Sequence, residues 1–191
     1  MKSQIAIFAS GAGSNAKKII EYLREKDNSP VRVGLIVCNK PDAEVLKMAE
    51  QEQIPSIVVD KEKFFRGNGY VDELRSANID FIVLAGFLWK IPDVLIRAYP
   101  GKMINIHPAL LPKYGGKGMY GRFVHEAVIA NNDKESGISI HYVNEVYDNG
   151  QVILQATCTV SESDTPDTLA KKVQALEHRH FPAAVAFLAS L

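Results

Sequence analysis

A short segment in the second half of the chain carries side chains that could stabilise a developing negative charge. Met103–Ile106 is apolar except for Asn105 and predicts the end of a short strand before Pro108, because proline removes a backbone donor and disfavours continuation. Asn105 and His107 are two apart on this extended segment, so their side chains should point to the same side. The Asn105 amide can donate to an oxyanion, and the His107 imidazolium can donate to the same atom or pass on a proton.

An acidic residue further along the chain could complete this arrangement. Asp148 is followed by Asn149 and Gly150, a sequence that predicts a turn. If the fold brings the Asp148 carboxylate close to His107, it would orient the ring and favour its charged form. The alternative is that these residues only form turns, because a histidine beside a proline and an asparagine before a turn usually make local hydrogen bonds. The spacing alone leaves both interpretations open.

A glycine-rich turn follows the first predicted strand. Gln4–Ala9 is a continuous apolar run, a Gly-Ala-Gly turn comes next, and Ala16–Arg24 has helical periodicity. Glycines let backbone N–H groups approach an anion, and a helix N-terminus favours negative charge. The turn lacks the third glycine of a dinucleotide fingerprint and the Gly-Lys-Ser/Thr of a P-loop. A tight turn with Ser14 or Asn15 as the helix N-cap is the alternative to an anion site.

The order of the predicted elements favours an α/β fold. Strands alternate with helices, which predicts a doubly wound, mostly parallel, Rossmann-like sheet. Gly137–Val143 alternates with period 2, and Gln151–Thr159 should pair with it as an antiparallel edge near the C-terminal end. We predict that Lys61–Gly69 is a surface loop and that the last helix begins at Thr165. The other predicted elements are strands at Val31–Val37, Ser56–Val59, Phe81–Ala85 and Met103–Ile106 and helices at Ala43–Gln53, Pro92–Tyr99 and Arg122–Ala130.

Length and composition limit the possible classes of protein. The 191 residues suit one domain over 1–191, and the 47% hydrophobic and 23% charged content is that of an ordinary soluble globular protein. The net charge is zero, so bulk charge predicts neither nucleic-acid nor membrane binding. Cys38 and Cys158 lack metal-ligand spacing and predict free thiols in a reducing compartment. No segment resembles a cleavable signal or a membrane span. We therefore expect a cytoplasmic protein without a metal, either a monomer or a homodimer.

Two long motifs resemble the folate-dependent formyltransferase family. They run from Asn105 to Tyr114 as Asn-Ile-His-Pro-Ala-Leu-Leu-Pro-Lys-Tyr and from Asp148 to Gln155 as Asp-Asn-Gly-Gln-Val-Ile-Leu-Gln. The similarity extends from the first strand to the last helix, and the Gly-Ala-Gly-Ser-Asn turn narrows it to members that act on glycinamide ribonucleotide.

The resemblance implies an activity. The protein would transfer the formyl group of 10-formyltetrahydrofolate to the amine of glycinamide ribonucleotide in purine synthesis, with Asn105, His107 and Asp148 as the catalytic residues and the His107 imidazolium stabilising the oxyanion. The alternatives are another formyltransferase of the family, a 10-formyltetrahydrofolate hydrolase, or a nucleotide-binding module without chemistry.

The resemblance also implies which residues bind the ribonucleotide. Gly13, Ser14 and Asn15 would hold its phosphate. Gln174 and Glu177 are three apart on one face of the last helix and would bind the ribose hydroxyls and the glycine amine.

The folate would occupy the segment after the Phe81–Ala85 strand. Trp89 stands where related sequences commonly carry arginine, so backbone contacts to the pterin ring are expected there more than a side-chain contact. Arg66 differs in spacing from the family's arginine, and its guanidinium could also reach the ribonucleotide or be a solvated charge. The residues implied for folate binding are Arg66, Leu88, Trp89, Lys90, Ile91 and Asn105.

Three further features surround the implied site. Gly115–Gly121 holds four glycines and predicts a flexible loop, which could be a lid over the ribonucleotide with Lys117 adding charge, or only a mobile connection. His125 on the following helix is more often a residue that supports the site from behind or packs in the core than a catalytic one. His141 should hydrogen-bond within the back wall of the site.

Overall fold

A seven-stranded sheet forms the centre of the protein. The computed structural model describes residues 2–26 and 28–191. The strands are β1 Ser3–Ala9, β2 Val31–Cys38, β3 Ser56–Val58, β4 Phe81–Leu84, β5 Met103–His107, β6 Glu135–Tyr142 and β7 Val152–Thr159. Their order in the sheet is β3-β2-β1-β4-β5-β6-β7, and β1 to β5 are parallel while β6 and β7 are antiparallel to their neighbours. The predicted α/β fold with a mostly parallel sheet and an antiparallel strand near the C-terminal end is confirmed.

Helices cover both faces of this sheet. One face packs against α1 Ser14–Glu25, α2 Glu44–Gln51, α6 Arg122–Ala130 and α7 Pro166–Leu188, and the other packs against α3 Lys61–Arg66, α4 Val71–Ser76 and α5 Asp93–Ala98. Thr165 caps α7 and accepts a hydrogen bond from the Thr168 backbone N–H, so the predicted start of the last helix is confirmed. In the ranges 2–26 and 28–191, no helix has the length and apolar character needed to cross a bilayer.

The strand β1 shows why the central strands are continuous apolar runs. Ile5, Ile7 and Ala9 pack into the core on one face, while Ala6 and Phe8 pack into the core on the other. Successive side chains of a strand point to opposite faces, so a strand with helices on both sides must be apolar at every position.

The prediction of a surface loop at Lys61–Gly69 is wrong. Residues Lys61–Arg66 form α3, in which the Asp60 side chain caps the first turn by accepting from the Lys63 backbone N–H at 2.9 Å. Phe64 is fully buried beneath this short helix. One cap and one buried aromatic residue suffice to hold a six-residue helix against the sheet, but so short an element has too few turns to show a periodic apolar pattern.

The order of the strands creates a crevice at their carboxyl ends. The neighbour of β1 on one side is β2, and its neighbour on the other side is β4, so the chain leaves these strands in opposite directions. Ligands bind at such a switch point in open α/β sheets. The turn after β1, the segment after β4 and the end of β5 all meet there.

Candidate active site

A cleft of about 730 Å³ opens at this switch point. Its walls come from the turns after β1 and β4, the end of β5, the loops that follow β5 and β6, and one face of α7. Of the residues predicted for the site, the cleft is lined by Gly13, Ser14, Asn15, Leu88, Trp89, Lys90, Ile91, Asn105, His107, Asp148, Gln174 and Glu177, and Arg66 is not among the lining residues.

Strand β5 presents the asparagine and histidine side by side. Asn105 lies opposite His141 and His107 lies opposite Ser139 in the register with β6. Both side chains line the cleft, as expected for residues two apart on a strand. His107 is the last residue of β5, and Pro108 follows it. The strand therefore ends where the cleft opens, and both side chains lie at its carboxyl end.

The His107 ring is held by a backbone carbonyl. Its Nε2 lies 2.7 Å from the Tyr114 carbonyl oxygen, and because a carbonyl can only accept, Nε2 carries the hydrogen. Its Nδ1 lies 3.6 Å from Asp148 Oδ2. Burial lowers the pKa of His107 below its ordinary value, and Asp148 and the Tyr114 carbonyl oppose this without reversing it. The direction of this shift favours a neutral ring at neutral pH, with Nδ1 as an acceptor facing Asp148, whereas an imidazolium was expected to stabilise the oxyanion.

Asp148 reaches this position through an unusual backbone conformation. Its φ is +50°, in the left-handed region that Asp and Asn tolerate better than most residues. A Cβ at Gly150 would lie 1.7 Å from the Tyr142 carbonyl oxygen, so only glycine fits the following turn. Oδ2 of Asp148 accepts the Gly116 backbone N–H at 2.9 Å. Burial raises the pKa of Asp148, but nearby His141, His107 and that backbone N–H together hold it below its usual value, so the carboxylate is charged.

The Asn105 amide is oriented by two neighbours. Its Nδ2 lies 3.1 Å from His141 Nε2 and 3.5 Å from Asp148 Oδ1. The other nitrogen of His141, Nδ1, donates to the Tyr142 carbonyl at 2.8 Å, and in this tautomer Nε2 accepts from Asn105. The predicted hydrogen bonding of His141 in the back wall is confirmed. Asn105, His107 and Asp148 thus converge, although they come from two separate parts of the chain.

The polar end of the cleft begins at Gly13. This residue has φ of +72° and is the N-cap of α1, and no side chain caps the helix, so the alternative of Ser14 or Asn15 as a side-chain N-cap is wrong. A Cβ at Gly13 would lie 2.6 Å from Val45 Cγ2. Only glycine therefore allows this turn to pack against α2 while the first backbone N–H groups of α1 face the cleft.

Two hydrogen bonds join α1 to α7 beside this turn. Asn15 Nδ2 donates to Glu177 Oε2 at 2.8 Å, and Gln174 Nε2 lies 3.3 Å from Ser14 Oγ. Burial raises the pKa of the Glu177 carboxyl, and the Asn15 hydrogen bond opposes this shift. Helix N–H groups, amides and a carboxyl group at one end of a cleft can bind a phosphate, hydroxyls and an amine.

The part of the cleft that the segment after β4 lines is largely apolar, and we call it the apolar end. Trp89 lines it and also packs against Phe64, Phe65 and Phe87, with ring centroids 5.7, 5.4 and 6.3 Å away. The backbone N–H of Leu88 donates to Ser10 Oγ at 2.8 Å and so fixes the segment after β4 to the turn after β1. Such an aromatic wall beside exposed backbone suits a flat heteroaromatic ligand.

The two charged residues assigned to folate differ in position. Lys90 borders the cleft, with Nζ 3.8 Å from Asp93 Oδ1. Arg66 is in the last turn of α3, strongly exposed, and its guanidinium donates to Glu62 Oε1 at 3.0 Å. The structure therefore does not bring Arg66 to the site, because this i, i+4 pair directs the side chain along the solvent face of α3.

Sequence reasoning missed the groups that hold the side chains of His107 and Asp148. The Tyr114 carbonyl and the Gly116 N–H belong to the backbone, so no residue type could signal them. His125, expected to support the site or to pack rather than to be catalytic, is buried and lines the cleft. Across residues 2–26 and 28–191, no group of three or more His, Cys, Asp or Glu side chains is placed to hold a metal ion.

Comparison with known proteins agrees with this geometry. The formyl transferase family profile matches residues 3–185. The chain is 41% identical over 189 residues to the chloroplastic phosphoribosylglycinamide formyltransferase of Arabidopsis thaliana, a match covering 96% of this chain and 64% of that protein. It is 36% identical over 192 residues to the phosphoribosylglycinamide formyltransferase of Bacillus subtilis, covering 98% of this chain and 95% of that protein.

Solved structures give the same result. The crystal structure of phosphoribosylglycinamide formyltransferase from Bacillus halodurans is similar with a TM-score of 0.87 and 37% identity, over 97% of this chain and 95% of that one. Glycinamide ribonucleotide transformylase 1 from Geobacillus kaustophilus has a TM-score of 0.89 and 32% identity, over 99% of this chain and 100% of that one. Since the profile and these alignments extend over almost all of its length, the chain belongs to the formyl transferase family.

Proposed function

We propose that the protein transfers the formyl group of 10-formyltetrahydrofolate to the amine of N1-(5-phospho-D-ribosyl)glycinamide, a step of de novo purine synthesis that leads to IMP. The observation that carries this proposal is the convergence of Asn105, His107 and Asp148 in a cleft that also has polar lining from α1 and α7 and apolar lining from the segment after β4. The names of the relatives at 36–41% identity support the choice of substrates.

His107 acts as the proton carrier in this reaction. Its neutral Nδ1 accepts a proton as the substrate amine attacks the formyl carbon, and it later returns that proton to the folate nitrogen when the carbon–nitrogen bond breaks. The Tyr114 carbonyl, 2.7 Å from Nε2, keeps the other nitrogen protonated, so Nδ1 is always the nitrogen that exchanges the proton. The Asp148 carboxylate at 3.6 Å stabilises the imidazolium that forms in between.

Asn105 stabilises the other charge that develops. The attack converts the formyl oxygen into an oxyanion, to which a positioned amide N–H can donate. One hydrogen of Asn105 Nδ2 is held by His141 Nε2 at 3.1 Å, and the second, whose contact with Asp148 Oδ1 is long at 3.5 Å, is the one that donates to the oxyanion. Removing one such donor typically lowers kcat on the order of a hundredfold.

The two ends of the cleft bind the two substrates. Gly13, Ser14 and Asn15 take the phosphate at the N-terminus of α1, and Gln174 and Glu177 take the ribose hydroxyls and the amine. At the apolar end, Leu88, Trp89, Lys90 and Ile91 take the folate, while Arg66 has no role there. Holding both reactants in one cleft reduces the entropic cost of a bimolecular step.

A spectroscopic assay tests the proposal directly. The protein is mixed with a 10-formyl folate and glycinamide ribonucleotide, and absorbance reports the deformylated folate as it appears. We expect a signal that requires both substrates. A signal without the ribonucleotide would indicate a hydrolase, and no signal with either substrate alone or with both would indicate a binding module; either result contradicts the transferase proposal.

We also infer a cytoplasmic location and a single catalytic domain, as monomer or homodimer. Cys38 and Cys158 are free thiols among the described residues, which suits a reducing compartment. Light scattering of the purified protein measures the number of subunits.

A further inference from the structure

His125 is a buried residue of the cleft that the proposed reaction does not use. It lies on α6, is 5% exposed, and lines the same cleft as His107 and Glu177. Helix α6 packs against α7, so His125 is on the side of the cleft where α7 contributes its ribonucleotide residues. Buried histidines usually have both nitrogens in hydrogen bonds, and this one does not.

One nitrogen of His125 is enclosed without a partner. Within residues 2–26 and 28–191, no atom makes a hydrogen bond to its Nδ1. A buried N–H without a partner is rarer than an unpaired acceptor and costs its full desolvation, so a neutral ring keeps its single hydrogen on Nε2. Because Nδ1 is enclosed, the edge of the ring that borders the cleft is the one that carries Nε2.

The ring is also neutral. Burial lowers the pKa of His125 below its ordinary value, and the nearby His107 lowers it further. At neutral pH the cleft therefore contains a fixed, uncharged N–H donor beside the catalytic histidine. An uncharged donor matches a hydroxyl or carbonyl oxygen, whereas a phosphate is bound most strongly by charged donors and helix N-termini.

We propose that His125 is a ribonucleotide-binding residue whose Nε2–H donates a hydrogen bond to a neutral oxygen of the substrate, either a ribose hydroxyl or the glycinamide carbonyl. The inference rests on the proposed function for the identity of that substrate. The unpaired Nδ1 is what supports this role, because a ring without a partner at Nδ1 carries its hydrogen on Nε2, where it can donate to the substrate.

Three substitutions separate this role from packing. His125→Phe keeps a flat ring without a donor, His125→Gln places an amide N–H near the position of Nε2, and His125→Asn places it near Nδ1. Calorimetry measures the affinity of each variant for glycinamide ribonucleotide in the absence of folate. A neutral hydrogen bond contributes about 0.5–1.5 kcal/mol, which corresponds to a loss of affinity of roughly two- to tenfold. We expect that loss in the Phe and Asn variants, affinity close to wild type in the Gln variant, and an unchanged KM for the folate in all three.

Ribose 5-phosphate, used as a second probe, identifies the acceptor. If its affinity falls with that of glycinamide ribonucleotide, the acceptor is a ribose hydroxyl; if only the glycinamide ribonucleotide binds more weakly, the acceptor is the carbonyl. Equal affinity of the wild type and a folded Phe or Asn variant would overturn the proposal, and so would a loss in the Gln variant as large as that in Phe.

Stability and turnover serve as controls. Replacing an unpaired acceptor by an apolar ring should not lower Tm, and the Asn variant keeps the test intact if the Phe variant does not fold. A wild-type protein that binds the ribonucleotide but transfers no formyl group contradicts the proposed function and leaves the His125 inference standing. A wild-type protein that binds no ribonucleotide overturns both.

Discussion

Replacing Asp148 by Asn removes the charge that faces the His107 imidazole while keeping the size of the side chain. His107 Nδ1 and Asp148 Oδ2 are 3.6 Å apart, a separation at which opposite unit charges attract by about 4.6 kcal/mol at an effective dielectric constant of about 20. A transition state that develops between half and all of the imidazolium charge loses about 2.3–4.6 kcal/mol, so kcat should fall by roughly 50- to 2,000-fold.

The same substitution should move the pH dependence of turnover. Burial lowers the pKa of His107 and the Asp148 charge opposes that shift, so Asp148→Asn lowers the pKa further. The resting base then stays neutral to lower pH, and the acid limb of kcat moves in the acidic direction. Steady-state turnover with saturating substrates, measured at closely spaced pH values, gives both the size of the loss and the position of the limb.

A matched carboxylate provides the control. Asp80 also accepts a backbone N–H, from Gln4 at 2.9 Å, but it precedes β4 at the opposite end of the sheet. Asp80→Asn should leave kcat and its acid limb unchanged. If Asp148→Asn retained kcat within threefold of wild type, or if its acid limb moved to higher pH, the electrostatic reasoning for this pair would be refuted.

Two further predictions concern the polar end of the cleft. Burial raises the pKa of the Glu177 carboxyl above its ordinary value of 4.5, so the stability that its protonated form provides is complete below about pH 4.5 and is lost as pH rises through the pKa of the folded state. Glutamine resembles the protonated carboxyl, so Glu177→Gln should raise Tm at neutral pH and leave it unchanged below pH 4.5. An unchanged Tm at neutral pH would contradict this. The same substitution should weaken ribonucleotide binding. Gly13→Ala combines a positive φ with a Cβ 2.6 Å from Val45 Cγ2, so urea unfolding should show a free energy of unfolding lower by at least about 1–2 kcal/mol. Gly11→Ala is the control: no atom lies within 4 Å of the added Cβ, so this variant should unfold like wild type. Equal stability of the two glycine variants would refute the steric account.

The sequence predicted those parts of the site that follow from local geometry. The period of two along β5 places Asn105 and His107 on one side, and this depends only on the strand being extended. The glycine turn after β1 was also predictable, because an apolar strand followed by glycines and a helix allows few other conformations. The position of Asp148 near the ring came from the family resemblance, since nothing local relates residues separated by the β6 strand and its loops.

The parts that could not be predicted depend on tertiary contacts. The pKa of His107 could not be predicted, because the acidic partner is visible in the sequence and the degree of burial is not; in the folded protein burial is the larger effect and lowers this pKa. The family resemblance implied Arg66 for the site, in a segment predicted to be a loop, but Asp60 and Phe64 make that segment a helix with its own ion pair. Both the pKa of His107 and the position of Arg66 depend on the folded environment, which the residue type alone does not reveal.

The backbone between Tyr114 and Gly116 sets the geometry of both members of the catalytic pair. The Tyr114 carbonyl holds His107 and the Gly116 N–H holds Asp148, so a shift of this segment moves both side chains without removing either. A Cβ on Gly115 would lie 2.6 Å from Leu111 Cδ2 and 3.3 Å from Asp148 Cβ. The flexible leucine can move aside, which leaves the crowding against Asp148.

Gly115→Ala should consequently lower kcat by roughly tenfold, because small displacements of reacting groups are costly, while the KM for the ribonucleotide stays near wild type. Its acid limb should also move, since the distance between the imidazole and the carboxylate changes. A folded Gly115→Ala protein with wild-type kcat and an unshifted acid limb would show that the Tyr114–Gly116 backbone does not position the pair. If the variant behaves as expected, the catalytic unit includes two main-chain groups along with its three side chains.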